Sequence, residues 1–99
     1  MFTILVEDRA AREIQDAIDY YNKKQFGLGK RFETVVNNEF QAIAKNPFYE
    51  VRYSNIRCKP VKYFPFLIHF LAVEQDKLVY IFAVINTRRN PKTHWLKTK

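Results

Sequence analysis

Apolar residues recur along this chain in two rhythms, and the switches between them divide it into elements. Residues 2–6 form a short apolar run containing Ile4 and Val6, closed by Glu7 and Asp8, and read as a strand. From about residue 8 to residue 25, Ala11, Ile14, Ala17, Ile18 and Tyr21 fall at three- and four-residue steps, the stripe of an amphipathic helix. Asp8 is expected to cap it, since its carboxylate accepts from first-turn N–H groups that have no partner in the helix. Gly27-Leu28-Gly29 breaks the pattern, because glycine adopts the left-handed backbone that ends a helix. Leu28, Phe32, Val35, Val36, Phe40 and Ile43 then mark one face of a second helix. Asn46-Pro47 stops it, as the residue before proline is biased away from the α region. The expected product is an antiparallel pair of helices.

The second half has the other rhythm. Residues 56–63, 64–73 and 78–86 are three β-rich runs, and residues 74–77 have the polarity and length of a hairpin connection. With the N-terminal strand they predict a twisted, antiparallel, four-stranded sheet, with the helical hairpin packed on one face and a short C-terminal tail. Phe64, Phe66, Ile68 and Phe70 alternate with Leu67, His69 and Leu71. Leu78, Tyr80, Phe82 and Val84 alternate with Val79, Ile81 and Ala83. Strands apolar on both faces lie centrally and are covered twice. The helices cover one face, so the other requires the tail or a partner.

With 99 residues there is room for one core, so residues 1–99 are read as a single α+β domain. The chain is 47% hydrophobic and 16% aromatic with two glycines, the profile of a packed domain. Cys58 is the only cysteine, which excludes an intramolecular disulfide and a cysteine-rich zinc site. No metal and no small-molecule cofactor is expected. The first apolar run is too short for a signal peptide, and the longest apolar stretch falls short of the ~20 residues of a spanning helix. A reducing, cytoplasmic setting away from membranes is therefore expected. The net charge of +7 is unevenly divided. Residues 1–50 hold seven Lys/Arg against eight Asp/Glu, whereas residues 51–99 hold ten against Glu74 and Asp76 alone. Such a field attracts an anionic partner, whether nucleic acid or an acidic protein segment.

Two clusters carry this charge. Arg57 and Lys59 sit two apart and share a strand face, with Lys62 on the other. Pro60 in the same strand predicts an edge or a bulge, because it has no N–H to donate. Arg88, Arg89 and Lys92 follow the last strand, close to His94 and Trp95. Arginine forks suit phosphate or carboxylate binding, and a solvated strand edge is the structural alternative. His94 titrates in the range of a general acid or base, but no Ser-His-Asp or Cys-His constellation and no glycine-rich phosphate loop accompanies it. His69, inside an apolar strand, reads as a hydrogen-bonded structural histidine.

Five stretches together resemble the RelE/ParE toxins of bacterial type II toxin–antitoxin pairs. They are Ala17-Ile18-Asp19-Tyr20-Tyr21, Gly27-Leu28-Gly29-Lys30-Arg31-Phe32, Ile43-Ala44-Lys45-Asn46-Pro47, Phe64-Pro65-Phe66-Leu67-Ile68 and Asn86-Thr87-Arg88-Arg89-Asn90-Pro91 followed by Trp95. The resemblance covers nearly the whole chain. It implies a RelE/ParE-like fold, a role in plasmid stabilisation or growth arrest, and a cognate antitoxin that wraps the toxin. RelE-like members cleave messenger RNA on the ribosome with a cluster of Lys and Arg; by motif, Arg57, Lys59, Arg88 and His94 fall in that neighbourhood. Phe66, however, stands where a central sheet arginine belongs, and no tyrosine follows Arg88. The Phe-Pro-Phe and Arg-Arg-Asn-Pro stretches look closer to the ParE branch, which inhibits DNA gyrase by binding. That branch implies target contacts at Arg88, Arg89, Lys92 and Trp95, antitoxin contacts at Arg57, Lys59 and Lys62, and no catalysis by the chain itself. Ribosome-dependent endoribonuclease activity and an inactive binding relative are the alternatives.

Overall fold

The computed structural model describes residues 1–88. Helix α1 runs Asp8–Lys24 and helix α2 Leu28–Lys45, within a residue of the boundaries expected from the apolar stripes. The cap of α1 differs by one position. Glu7 is the capping residue in extended backbone, its side chain makes no cap, and Asp8 stands in the first turn, where its charge suits the helix dipole. Gly27 holds φ 84° between the helices, a left-handed conformation that a side chain would strain. Gly29 is required for a different reason. Its N–H donates to Asn22 Oδ1 at 2.9 Å, and a Cβ there would lie 2.6 Å from Asn22 Cγ, so the two helices meet where no side chain fits.

Among the described residues the sheet has five strands in the order β1-β5-β4-β3-β2: β1 Thr3–Val6, β2 Val51–Tyr53, β3 Ile56–Pro60, β4 Phe66–Val73 and β5 Leu78–Asn86. This corrects the four-stranded antiparallel expectation in two ways. Val51–Tyr53 adds a strand too short to show alternation, and β1 pairs parallel to β5, with Thr3 opposite Leu78 and Val6 opposite Ile81. The other pairings are antiparallel. A single 3₁₀ turn, Glu74–Asp76, joins β4 to β5 through left-handed Lys77. Pro60 is tolerated inside the sheet because β2 pairs with Ile56 and Arg57 and stops before reaching it. His69 pairs with Ala83 and Phe70 with Ile81, so Phe82 is the extra residue of a bulge that bends β5.

The main core lies between the helices and one sheet face, where Phe32, Val36 and Ile43 meet Ile68, Phe70, Val79 and Ile81. Phe32 is its aromatic hub, with ring centroids 5.0 Å from Phe66, 5.1 Å from Phe64 and 5.4 Å from Tyr21. Alternation sends Ile56, Cys58 and Leu67 to the opposite face, against Tyr53, Leu71 and Phe82. Beyond Val6 no strand of the described residues lies beside the outer edge of β5, and Glu13 of α1 fills in, its Oε1 accepting from Val84 N–H at 2.9 Å.

Candidate functional site

Register decides the fate of the first basic cluster. Arg57 pairs with Phe70 and Lys59 with Ile68, and both partners face the helices, so these two cations point inward along the core rim. Lys59 forms an ion pair with Glu39 of α2, with the two side chains 13% and 5% exposed. The other oxygen of Glu39 accepts from the Lys62 backbone N–H at 2.9 Å, so one buried carboxylate ties α2 both to β3 and to the turn after it. Arg57 donates to the Tyr49 carbonyl and lies over the Phe48 ring at 5.5 Å. Phe66 is buried in the aromatic hub, where a charged side chain would lose most of its hydration.

The second cluster is placed only in part, since Arg89, Lys92, His94 and Trp95 lie outside the described residues. Arg88 is exposed, and its guanidinium forms no ion pair with any described residue. Its backbone N–H is held by Asn86 Oδ1 at 2.9 Å, and the neighbouring Thr87 N–H donates to the Pro65 carbonyl at 2.8 Å, which pins the exit of β5 to the turn before β4.

Arg88 opens onto a cleft of about 550 Å³ between the helical hairpin and the turn formed by residues 61–65. Leu28, Tyr21, Phe64 and Pro65 supply its apolar surface, Tyr20 and Tyr63 its exposed rings, and Asn86 and Arg88 its polar end. Lys24 Nζ lies 5.3 Å from the Tyr20 ring centre and Arg31 Cζ 5.8 Å from that of Tyr63. The apolar periodicity assigned Tyr21 and Leu28 to the core and was silent on Tyr20, Tyr63 and Arg31. What could have flagged them is the alternation of aromatic and basic residues in Lys62-Tyr63-Phe64-Pro65 and Lys30-Arg31-Phe32.

On the opposite sheet face, His69 is fully buried, with its Nδ1 hydrogen-bonded to the Tyr53 hydroxyl at 2.9 Å and 3.5 Å from Cys58 Sγ. That is the structural histidine expected. Burial pushes the Cys58 thiol up to about 11, against the downward pull of the Arg52 guanidinium, so the sulfur is held as the unreactive thiol. Among the described residues no three His, Cys, Asp or Glu side chains gather as metal ligands, and no helix is long and apolar enough to cross a membrane.

The same architecture is found in chains of two solved toxin–antitoxin complexes. The chain superposes on one in the chromosomal ParDE TA system from P. aeruginosa with a TM-score of 0.73, at 13% identity, over 87% of this chain and 96% of that one. It superposes on a chain of the intact E. coli RelBE toxin-antitoxin complex with a TM-score of 0.59, at 9% identity, over 85% and 94% of the two chains. At these identities the likeness establishes a shared fold, the RelE/ParE-like fold expected from the sequence. No protein-family model matches the sequence, and no curated protein does.

Proposed function

We propose that this chain is the toxin of a type II toxin–antitoxin module, and that it arrests growth by binding DNA gyrase rather than by cutting RNA. The fold and the five stretches of sequence resemblance support the toxin reading together. The observation that favours binding over catalysis is the commitment of Lys59 to Glu39 and of Arg57 to Tyr49 and Phe48, with Phe66 buried as the hub's neighbour. Catalysis by positioned charge needs several cations aimed at one developing anion, and loss of one donor from such a set costs orders of magnitude in rate. Of the candidate cations on the described residues, Arg88 and Lys62 form no side-chain ion pair with another described residue, and Arg88 stands at the end of β5. In this proposal Arg88, Arg89, Lys92 and Trp95 contact gyrase or its DNA. Lys62 meets acidic groups of the antitoxin, and Arg57 and Lys59 hold the strand that the antitoxin covers.

Expression of the chain alone in bacteria tests the reading. Filamentous growth with a DNA-damage response, relieved by Arg88→Ala with Arg89→Ala at unchanged melting temperature, is the expected result. Arg88 is exposed, and exposed charges contribute little to stability, so its replacement leaves the protein folded. Prompt arrest of translation with cleaved messenger RNA would replace gyrase by the ribosome, and undisturbed growth would leave an inactive binding relative.

A further inference from the structure

We propose that the outer edge of β1 is a self-association surface, to which a second copy of this chain adds its own β1, antiparallel about a two-fold axis at Leu5, so that one sheet runs through the pair. Thr3 N–H donates to the Lys77 carbonyl at 2.8 Å and Glu7 N–H to the Ile81 carbonyl at 2.9 Å, so the odd-numbered residues of β1 are the ones bonded toward β5. Alternation turns the N–H and C=O of Ile4 and Val6 the other way, and no strand of the described residues lies on that side. The side chains are as open as the backbone. Leu5, opposite Tyr80, is 39% exposed on the face away from the helices, and Val6, opposite Ile81, is 40% exposed on the helix side. Edge strands are usually protected by a lysine, a proline or a bulge, and Thr3–Val6 carries none of these.

The register follows from which groups are free. Phe2 is excluded, because its N–H donates to the Ala44 carbonyl at 2.8 Å where α2 ends beside the strand, and after Glu7 the chain enters α1. Pairing Ile4 of each copy with Val6 of the other uses the free groups of both and sets Leu5 against Leu5 on the axis. Charge selects a second copy as the occupant. Lys77 Nζ lies 5.1 Å from the Phe2 ring centre and Lys45 closes α2 next to Ala44, so the start of the strand is cationic, whereas Glu7 and Asp8 make its end anionic. All four side chains are exposed, and none forms an ion pair with another described residue. In this register Phe2 comes opposite Asp8, and Thr3 opposite Glu7, of the other copy, so the cationic end of each strand meets the anionic end of its twin. A strand of one sign would be matched at one end and repelled at the other.

The proposal goes beyond the toxin reading and does not depend on it. A short strand with two aliphatic contacts makes a small interface, so the association is weak, and it is measured on the full chain by sedimentation equilibrium. Salt of about 0.15 M screens the +7 charge of each copy beyond about 8 Å. The mass is expected to rise from one copy toward two between about 1 and 500 μM. Val6→Lys guards the edge and weakens the dimer at least about tenfold; if it also lowers the melting temperature, Leu5→Glu on the other face repeats the measurement. Lys77→Asp weakens it about fivefold, and adding Asp8→Lys restores it. The axis is tested by oxidation with diamide. Leu5→Cys is expected to form a disulfide-linked dimer, since a non-hydrogen-bonded antiparallel pair has its Cα atoms about 4.5 Å apart, while Thr3→Cys, opposite Glu7, stays single. The native Cys58 is buried and does not compete. A one-copy mass at every concentration, a dimer indifferent to both edge variants, failure of the charge swap to restore it, or cross-linking of Thr3→Cys as fast as that of Leu5→Cys would each overturn the proposal.

Discussion

Replacing Lys59 by methionine tests whether the inner basic row is architecture. The substitution keeps the length and apolar stem of the side chain and removes the charge that faces Glu39. What remains is a carboxylate on a side chain 5% exposed, with one backbone N–H, that of Lys62, as its hydrogen-bond donor. Breaking a buried pair from one side leaves an uncompensated charge and costs about 3–5 kcal/mol. Lys59 is itself 13% exposed, so some water reaches the pair and the lower end, about 3 kcal/mol, is expected. With a urea m-value of about 1.5 kcal/mol per molar, the unfolding midpoint falls by about 2 M. Replacing both partners, Glu39→Leu with Lys59→Met, removes the unpaired charge and leaves the orphaned Lys62 N–H, a loss of about 1 kcal/mol. The double variant is therefore more stable than Lys59→Met by about 2 kcal/mol, and Glu39→Leu alone completes the cycle from which the coupling of the pair is obtained. Urea titrations of the wild type and the three variants, followed by circular dichroism, measure it. A Lys59→Met midpoint indistinguishable from wild type would refute the reasoning and return Lys59 to the set of working surface cations.

Gly29→Ala forces a methyl against Asn22 and the Ile18 carbonyl, and overpacking of this kind costs about 1–3 kcal/mol; a fall in melting temperature of at least about 4 °C is expected by calorimetry. Phe66→Ala empties a site 8% exposed in the aromatic hub and lowers stability by about 3–5 kcal/mol in denaturant titration; a change below 1 kcal/mol would mean that the ring is not a core group. The thiol of Cys58, raised from 9.0 to about 11, resists iodoacetamide at pH 8 until the chain is unfolded. Above pH 9 the unfolded chain gives up the thiol proton while the folded one keeps it, so stability falls between pH 9 and about 11, and Cys58→Ala flattens that slope in pH-dependent melts.

The helices were legible because each buries one stripe, and a stripe records its own period: Ile14, Ala17 and Ile18 in one, Phe32, Val36 and Ile43 in the other. The central position of β4 and β5 was legible in their two apolar faces. Parallel pairing of β1 was not, since hydrogen bonding between backbones leaves no trace in side-chain pattern, and three-residue β2 is shorter than the alternation needed to reveal it. The inner basic row was misleading for a related reason. Arg57 and Lys59 share a face, as their spacing says, but which face is set by their register against Phe70 and Ile68. The acceptor that makes the inward direction tolerable, Glu39, lies 20 residues earlier on another element. The cleft was illegible because its walls come from α1, α2, the turn of residues 61–65 and the end of β5, which only the fold brings together.

The carboxylate of Glu13 at Val84 has a consequence for how copies of this protein coexist. A strand with an open flank is a template on which a second chain can lay its own backbone, and repeated laying-on builds insoluble fibrils. Here a helix residue occupies the bond that an intruding strand would need, without extending the sheet. Glu13→Ala would unveil that donor and leave a strand edge of the kind on which a second chain can add.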